Sequence, residues 1–269
     1  MILRDYHVHT HLCDGKSTPE ETVISAIEKG LITLGFSGHN TLEGEDWCMS
    51  PEGVTEYRNE IQRLKEKYKD KIEILCGIEQ DYYSPAATGY DYIIGSVHCL
   101  KVADNTLAPL DDTAEKLKYA VDTYFGGDAL SLAEEYFRTV ADVINKTGAT
   151  IVGHFDLIEK FSDTNPVFDT SHPRYVKAAE DAIDALISQG AIFEVNTGAM
   201  VRGYRSLPYP AKPLLCMMQK KGADVILTSD CHDANNLCFA FDKALELVRE
   251  CGFTRIAYLT KGQIEFTEI

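Results

Sequence analysis

Leu3-Arg4-Asp5-Tyr6-His7-Val8-His9-Thr10, led in by the apolar Ile2, decides how this chain is read. Two histidines stand two positions apart at the end of a short strand-like run. In an extended segment alternate side chains share a face, and each residue advances the chain by roughly 3.3 Å. His7 and His9 therefore aim the same way, close enough to hold one metal ion.

Later apolar runs end on groups of the same kind. Leu34–Ser37 leads to Gly38-His39, Ile72–Ile78 to Glu79, and Tyr90–Val97 to His98. Thr150–Gly153 leads to His154, and Val225–Ser229 to Asp230-Cys231-His232. Ala191–Asn196 and Arg255–Tyr258 read as further strands. Between them lie helical stretches near 19–29, 51–68, 131–146, 174–188, 211–220 and 235–250. The first starts at Pro19-Glu20-Glu21, where proline and acids suit a helix N-terminus, and it stops at Gly30. A long excursion over 100–128, with a helical piece at 114–124, reads as a lid or substrate loop.

Strands alternating with helices predict an α/β fold with a parallel sheet. Polar residues at the strand ends favour a barrel, whose chemistry lies at the carboxyl ends of its strands. No composition break divides residues 1–269, so a single domain is expected. No G-x-G-x-x-G follows the first strand, which argues against a dinucleotide site.

The candidate metal ligands are His7, His9, Asp14, His39, Glu79, His98, His154, Asp230 and His232. Taken singly, each histidine is more simply a hydrogen-bonded structural residue. Taken together, so many imidazoles and carboxylates are costly to bury without cations between them. Nitrogen and oxygen donors suit Zn, Mn or Fe. The set exceeds the needs of one ion, so two or three divalent ions are expected, with Glu79 able to bridge. Such ions lower the pKa of water and polarise a phosphoryl or carbonyl oxygen. Alternation turns Cys231 away from the ligands flanking it. His172, just before Pro173 at a helix start, reads as structural, and His11, beyond the first pair, as structural or as a support behind the ligands.

A net charge of −16 repels nucleic-acid phosphates and anionic membrane surfaces. The eight cysteines form no C-x-x-C pair, and no apolar run is long enough to span a bilayer. Free thiols, no disulfide framework and a cytoplasmic location are expected. No protein partner is implied.

His7-Val8-His9, Gly38-His39, Ile78-Glu79, Gly95-Ser96-Val97-His98, Gly153-His154-Phe155-Asp156 and Ser229-Asp230-Cys231-His232 occur in this order. The ordered set resembles the polymerase and histidinol phosphatase (PHP) superfamily, most of all its stand-alone histidinol-phosphate phosphatases. The resemblance implies a distorted (β/α)7 barrel with a trinuclear metal site. By it, His7, His9, Glu79 and Asp230 would hold one ion, Glu79, His98 and His154 a second, and Asp14, His39 and His232 a third. Two positions depart from the wider family: Gly38 stands where many members carry an acid, and Lys160 where arginine is common.

The implied reaction is hydrolysis of L-histidinol phosphate to L-histidinol and phosphate, a step of histidine biosynthesis. Lys160, Arg202 and Arg205 are the candidate phosphate contacts, and Asp230 or His232 the candidate proton donor. Asp111, Asp112 and Glu115 are candidates for the substrate's amino and imidazole groups; Tyr82, Tyr83 and Tyr204 are possible pocket walls. The alternatives are a phosphoesterase for a nucleotide or oligonucleotide, and a metal-binding scaffold without turnover.

Overall fold

The computed structural model describes residues 3–269; Ile2 lies outside them. Strands and helices follow in the order β1 (Arg4–Asp5), α1 (Pro19–Glu28), β2 (Thr33–Phe36), α2 (Pro51–Tyr68), β3 (Glu73–Asp81) and β4 (Tyr92–Ser96). The excursion then forms the hairpin β5 (Cys99–Lys101) and β6 (Leu107–Pro109), followed by α3 (Ala114–Tyr124). Next come α4 (Ala129–Ala141), α5 (Val143–Thr147), β7 (Ile151–Val152), α6 (Pro173–Ser188), β8 (Ile192–Asn196) and α7 (Gly198–Val201). The chain ends with α8 (Lys212–Lys220), β9 (Asp224–Thr228), α9 (Phe241–Glu250), β10 (Arg255–Thr260) and β11 (Gln263–Glu268).

The main sheet runs β1-β2-β3-β4-β7-β8-β9-β10-β11, parallel throughout except for the antiparallel β10–β11 pair. It curls into a distorted barrel with an unusual seam. At the carboxyl end, the segment after β1 meets the segment after β9: His9 N–H donates to Cys231 O at 2.8 Å, and Cys231 N–H donates to His7 O at 2.9 Å. At the other end β10 fills the gap. There the Tyr6 hydroxyl stands in for backbone, donating to Leu259 O at 2.9 Å and accepting from Leu259 N–H at 3.0 Å.

Tyr92 of β4 sets the spacing of three strands. Its ring covers Gly77 of β3, and its hydroxyl, with one proton to give, sits between two carbonyl oxygens, 2.5 Å from Tyr6 O and 2.9 Å from Phe36 O. A Cβ on Gly77 would fall 2.2 Å from that ring, and one on Gly35 2.4 Å from the hydroxyl, so neither position tolerates a side chain. Apolar faces of the helices bury against the outside of the sheet, Val23 and Ala26 of α1 and Tyr57, Ile61 and Leu64 of α2 among them. Helix α1 starts in a capping box, with Thr18 accepting from Glu21 N–H and the Glu21 carboxylate accepting from Thr18 N–H.

Several elements differ from the sequence expectation. The helix expected over 131–146 breaks at Asp142, whose carboxylate accepts from the Tyr82 hydroxyl and from Asn145. The helix expected from 235 begins at Phe241, because Cys238 and Ala240 take left-handed backbone angles, φ 55° and 54°. The Cys238 turn is tied down by its N–H, which donates to Asp5 Oδ2 at 2.9 Å. Strand β11 was not expected. Cys216 of α8 and Cys251 at the end of α9 form a disulfide, against the expectation of free thiols throughout; the other six cysteines are free. Among the described residues no helix is long and apolar enough to cross a membrane.

Candidate metal centre

Glu79 is the hub. It points inward from β3, fully buried, and presents each carboxylate oxygen to a different set of imidazoles. Oε2 lies 3.1 Å from His7 Nε2, 3.4 Å from His9 Nε2 and 2.9 Å from His39 Nδ1. Oε1 lies 3.1 Å from His154 Nε2 and 3.3 Å from His98 Nε2, and accepts from the Ser96 hydroxyl at 2.6 Å. The seam delivers His7 and His9 side by side, their ring centres 5.1 Å apart.

Asp230 and Asp14 complete the ring of donors. Asp230 Oδ1 lies 3.3 Å from His9 Nε2 and 3.7 Å from His7 Nε2. Asp14 Oδ2 lies 3.0 Å from His232 Nε2 and 3.7 Å from His39 Nε2, while its Oδ1 is 3.4 Å from His9 Nδ1. Asp230 itself takes a left-handed backbone angle, φ 50°, and packs against Gly198, where a Cβ would fall 2.6 Å from Oδ2. Strain of this kind costs about 1–3 kcal/mol and persists where the surroundings enforce it.

Three donor groups are compact enough for one ion each: His7, His9 and Asp230; His9, Asp14, His39 and His232; and His39, Glu79 and His98. The first lacks the Glu79 that the sequence resemblance places with it, and the second adds His9 to the implied Asp14, His39 and His232. In the third, His39 takes the place expected for His154, which reaches the centre through Glu79 Oε1. The donors fit divalent cations on a physical ground. His7 Nε2 and His9 Nε2 are buried without a hydrogen-bond partner, although carboxylate oxygens stand close by. Unpaired lone pairs aimed at one point are expensive unless a cation accepts them.

Charge inside the centre is arranged accordingly. Burial disfavours ionised Glu79, yet His7, His39 and His98 outweigh it and hold the carboxyl well below its usual range. Burial likewise opposes ionised Asp230, but Arg202 and His7 prevail. For His7, burial favours the neutral ring, and Glu194, Glu79 and Asp230 override it, raising the imidazolium pKa well above 6.5. The carboxylates thus demand positive charge.

Residues that sequence reasoning missed hold the ligands in place. Glu194 of β8, fully buried, accepts from His7 Nδ1–H at 2.6 Å and from the His154 N–H at 3.0 Å. Asp81, two residues beyond Glu79, accepts from the His98 N–H at 3.0 Å and faces His98 Nδ1 at 3.2 Å. Such carboxylates fix the tautomer and orientation of a ligating imidazole. The spacing Glu79-x-Asp81 and Glu194-x-Asn196 put each pair on one face of a strand, which was the signal available.

The donors floor a cavity of about 440 Å³, whose wall includes Lys160, Arg202, Glu45, Asp46, Trp47, Asp111 and Asp112. Arg202 lies on the ligands, Nη2 2.9 Å from Asp230 Oδ2 and Nη1 3.1 Å from His232 Nδ1. Lys160 Nζ donates to Asp111 O at 2.6 Å and Oδ2 at 3.0 Å.

Two expected contacts are corrected. Arg205 is only 7% exposed and does not line the cavity. It faces the buried Asp156 carboxylate at 3.5 Å and lies over the Tyr209 ring at 4.4 Å, because an interior carboxylate needs a counter-charge more than the rim does. Glu115 is exposed on the first turn of α3 and does not line the cavity; Lys116 of that turn and Asp112, just before the helix, line it instead. Tyr82, Tyr83 and Tyr204 also lie outside it: Tyr82 binds Asp142, the Tyr83 hydroxyl accepts from Lys101 N–H, and Tyr204 packs on Phe161. Cys231 is buried with its thiol donating to Asp233 O at 2.9 Å, as alternation predicts. His172 caps α6, and His11 is exposed.

Residues 5–198 match the PHP domain model. The chain belongs to the PHP domain family. This PHP chain is 31% identical over 265 residues to a Schizosaccharomyces pombe protein named "Probable histidinol-phosphatase", covering 90% of this chain and 84% of the relative. It is 25% identical over 274 residues to the histidinol-phosphatase of Bacillus subtilis, covering 91% and 99%. Its fold is similar to that of the histidinol phosphate phosphatase of Lactococcus lactis, crystallised with Zn, L-histidinol and phosphate. The TM-score there is 0.72 at 22% identity, with 98% of each chain covered.

Proposed function

We propose that this chain, as one catalytic domain over residues 1–269, hydrolyses L-histidinol phosphate to L-histidinol and phosphate with two or three divalent ions, Zn, Mn or Fe. The observation that carries the reading is the convergence of imidazole and carboxylate donors from the whole barrel on one cavity rimmed by Arg202 and Lys160. The names of the S. pombe and B. subtilis relatives, and the ligands of the L. lactis structure, point to the same substrate.

His7, His9, Asp14, His39, Glu79, His98, His154, Asp230 and His232 would hold the ions. Bound there, they would lower the pKa of water and neutralise charge developing on the phosphoryl oxygens. Arg202 offers a planar fork to the phosphate, and Lys160 a point charge steadied by Asp111. Asp230 and His232, side by side on the cavity floor, are the two candidates to protonate the departing alkoxide. His232 Nδ1 lies 2.9 Å from the backbone carbonyl oxygen of Asp230, which ties the His232 ring to the Asp230 turn. The acidic chain disfavours polynucleotides, and we place the enzyme in the cytoplasm.

The test is phosphate release by purified protein reloaded with Zn or Mn. Turnover of L-histidinol phosphate well above that of nucleoside monophosphates and single-stranded DNA is expected. Preference for a nucleotide would select the alternative substrate class, and no release from any ester would leave a metal-binding scaffold.

A further inference from the structure

Trp47 is the single tryptophan of the chain, and it stands at the cavity rather than in the core. Its indole meets the His39 ring edge-on, centres 4.6 Å apart, and the His98 ring at 5.2 Å. The indole Nε1–H donates to Glu45 Oε2 at 2.7 Å, so the loop between β2 and α2 holds a fixed ring and a fixed carboxylate on the same wall. The guanidinium of Arg202 lies instead against Asp230 and His232. One cavity therefore offers a basic group beside one set of donors and an aromatic, acidic wall beside another.

That division matches a substrate with an anionic end and a cationic end. A phosphate drawn to Arg202 projects its organic half along the remaining wall. An indole attracts cations and stacks with heteroaromatic rings, and a carboxylate accepts from ammonium or imidazole N–H. The acids expected in this role from the sequence are less available. Asp111 is engaged by Lys160, Asp112 by Lys116, and Glu115 is outside the cavity. Trp47 is half-buried and lies outside the apolar clusters of the core, so its ring is open to the cavity.

We propose that Trp47 and Glu45 form the subsite for the cationic, nitrogen-bearing organic half of the substrate and set the enzyme's preference among phosphate monoesters. The inference rests on the proposed phosphatase reading and deepens it. The experiment compares kcat/KM for L-histidinol phosphate and for p-nitrophenyl phosphate, an aromatic ester without a cation, in the metal-loaded wild type, Glu45→Gln and Trp47→Leu. The ratio between the two esters falls at least tenfold in each variant, through KM for L-histidinol phosphate. An equal loss for both esters would show that the pair only supports the ligands, and an unchanged ratio would show no part in selection; either overturns the proposal.

A second measurement needs no turnover. Trp47 is the sole indole fluorophore, so its emission is titrated with L-histidinol and, separately, with glycerol. A saturable change with L-histidinol alone, weakened about tenfold in Glu45→Gln, is expected; no response to L-histidinol refutes the subsite. If the wild type cleaves p-nitrophenyl phosphate but not L-histidinol phosphate, the substrate reading fails, and the emission titration still decides whether the wall binds a cation.

Discussion

Replacing Glu194 by glutamine keeps the volume of a fully buried side chain and removes one acceptor. Glu194 uses both oxygens: Oε1 accepts from His7 Nδ1–H at 2.6 Å, and Oε2 from the His154 N–H at 3.0 Å and from Asn196 Nδ2 at 3.2 Å. A glutamine has one acceptor oxygen and one NH₂ group. With the oxygen toward His7, the NH₂ confronts the His154 N–H. With the amide reversed, it confronts His7 Nδ1–H and drives the ring proton to Nε2, the atom aimed at the centre. Either way a charge-assisted hydrogen bond of about 1.5–3 kcal/mol is lost. Most of that loss should appear in metal binding, because the ring is oriented for it; about 1.4–2.8 kcal/mol is a factor of roughly 10–100. Zn²⁺ affinity, measured by competition with a chromophoric chelator, should fall by that factor, and turnover should recover as free metal is raised. A folded Glu194→Gln protein, matched to wild type in circular dichroism, that bound Zn²⁺ equally well would refute the reasoning.

Loading metal into chelator-stripped protein at pH 7 should release protons, because burial notwithstanding, carboxylate neighbours raise His7, His9 and His98 above 6.5; an indicator dye in weak buffer reads the release, and none would contradict the charge arrangement. Arg205→Met should cost about 3–5 kcal/mol in urea unfolding by stranding Asp156. Arg202→Met should instead lower kcat/KM at least tenfold, and a reversal of the two phenotypes would move Arg205 back to the substrate. Burial, with Asp156 beside it, pushes the Glu159 carboxyl up to about 8 despite Arg205, from 4.5. The folded state then holds a proton that the unfolded chain has lost, so stability falls as pH rises between those values, by at most about 1.4 kcal/mol per pH unit. Glu159→Gln should flatten that slope in urea midpoints taken at pH 5 and pH 8.

What the sequence reveals of the centre depends on how locally a residue's task is written. His7, Glu79 and Asp230 each follow an apolar run, and a polar group at a barrel strand's carboxyl end has few uses besides chemistry. Asp5 has no such signature. It accepts from Ser229 N–H at 3.0 Å across 224 residues, also binds the Ser229 hydroxyl and Cys238 N–H, and so ties the start of the chain to the strand end carrying Asp230. Arg205 misleads for the converse reason. Arg202 and Arg205 are indistinguishable as basic residues after a ligand-bearing strand, but the turn between them at Gly203, φ 76°, sends one to the cavity and the other inward to Asp156. Helix boundaries fail where a tertiary bond pins the backbone, as at Asp142 and Cys238.

The seam explains why the centre and the fold are hard to separate. Val8 pairs with Cys231, so the barrel closes through the residues flanking His7, His9, Asp230 and His232. Backbone pairing alone would bring these four donors together whatever their side chains. Closure buries their charge, and that cost falls on the few hydrogen bonds that join the ends of the ring. Carboxylates and imidazoles at the seam would therefore tend to open it unless their charges balance. Protons on His7 and His9 supply the balance in the absence of cations, and divalent ions would supply it more fully while pinning both sides of the gap. Tyr6, satisfying Leu259 from the opposite end, and Asp5, gripping Ser229, reinforce the same joint with groups outside the cavity. The organisation of residues 3–10 is thus a single solution to two demands, closing a sheet and concentrating charge at its rim.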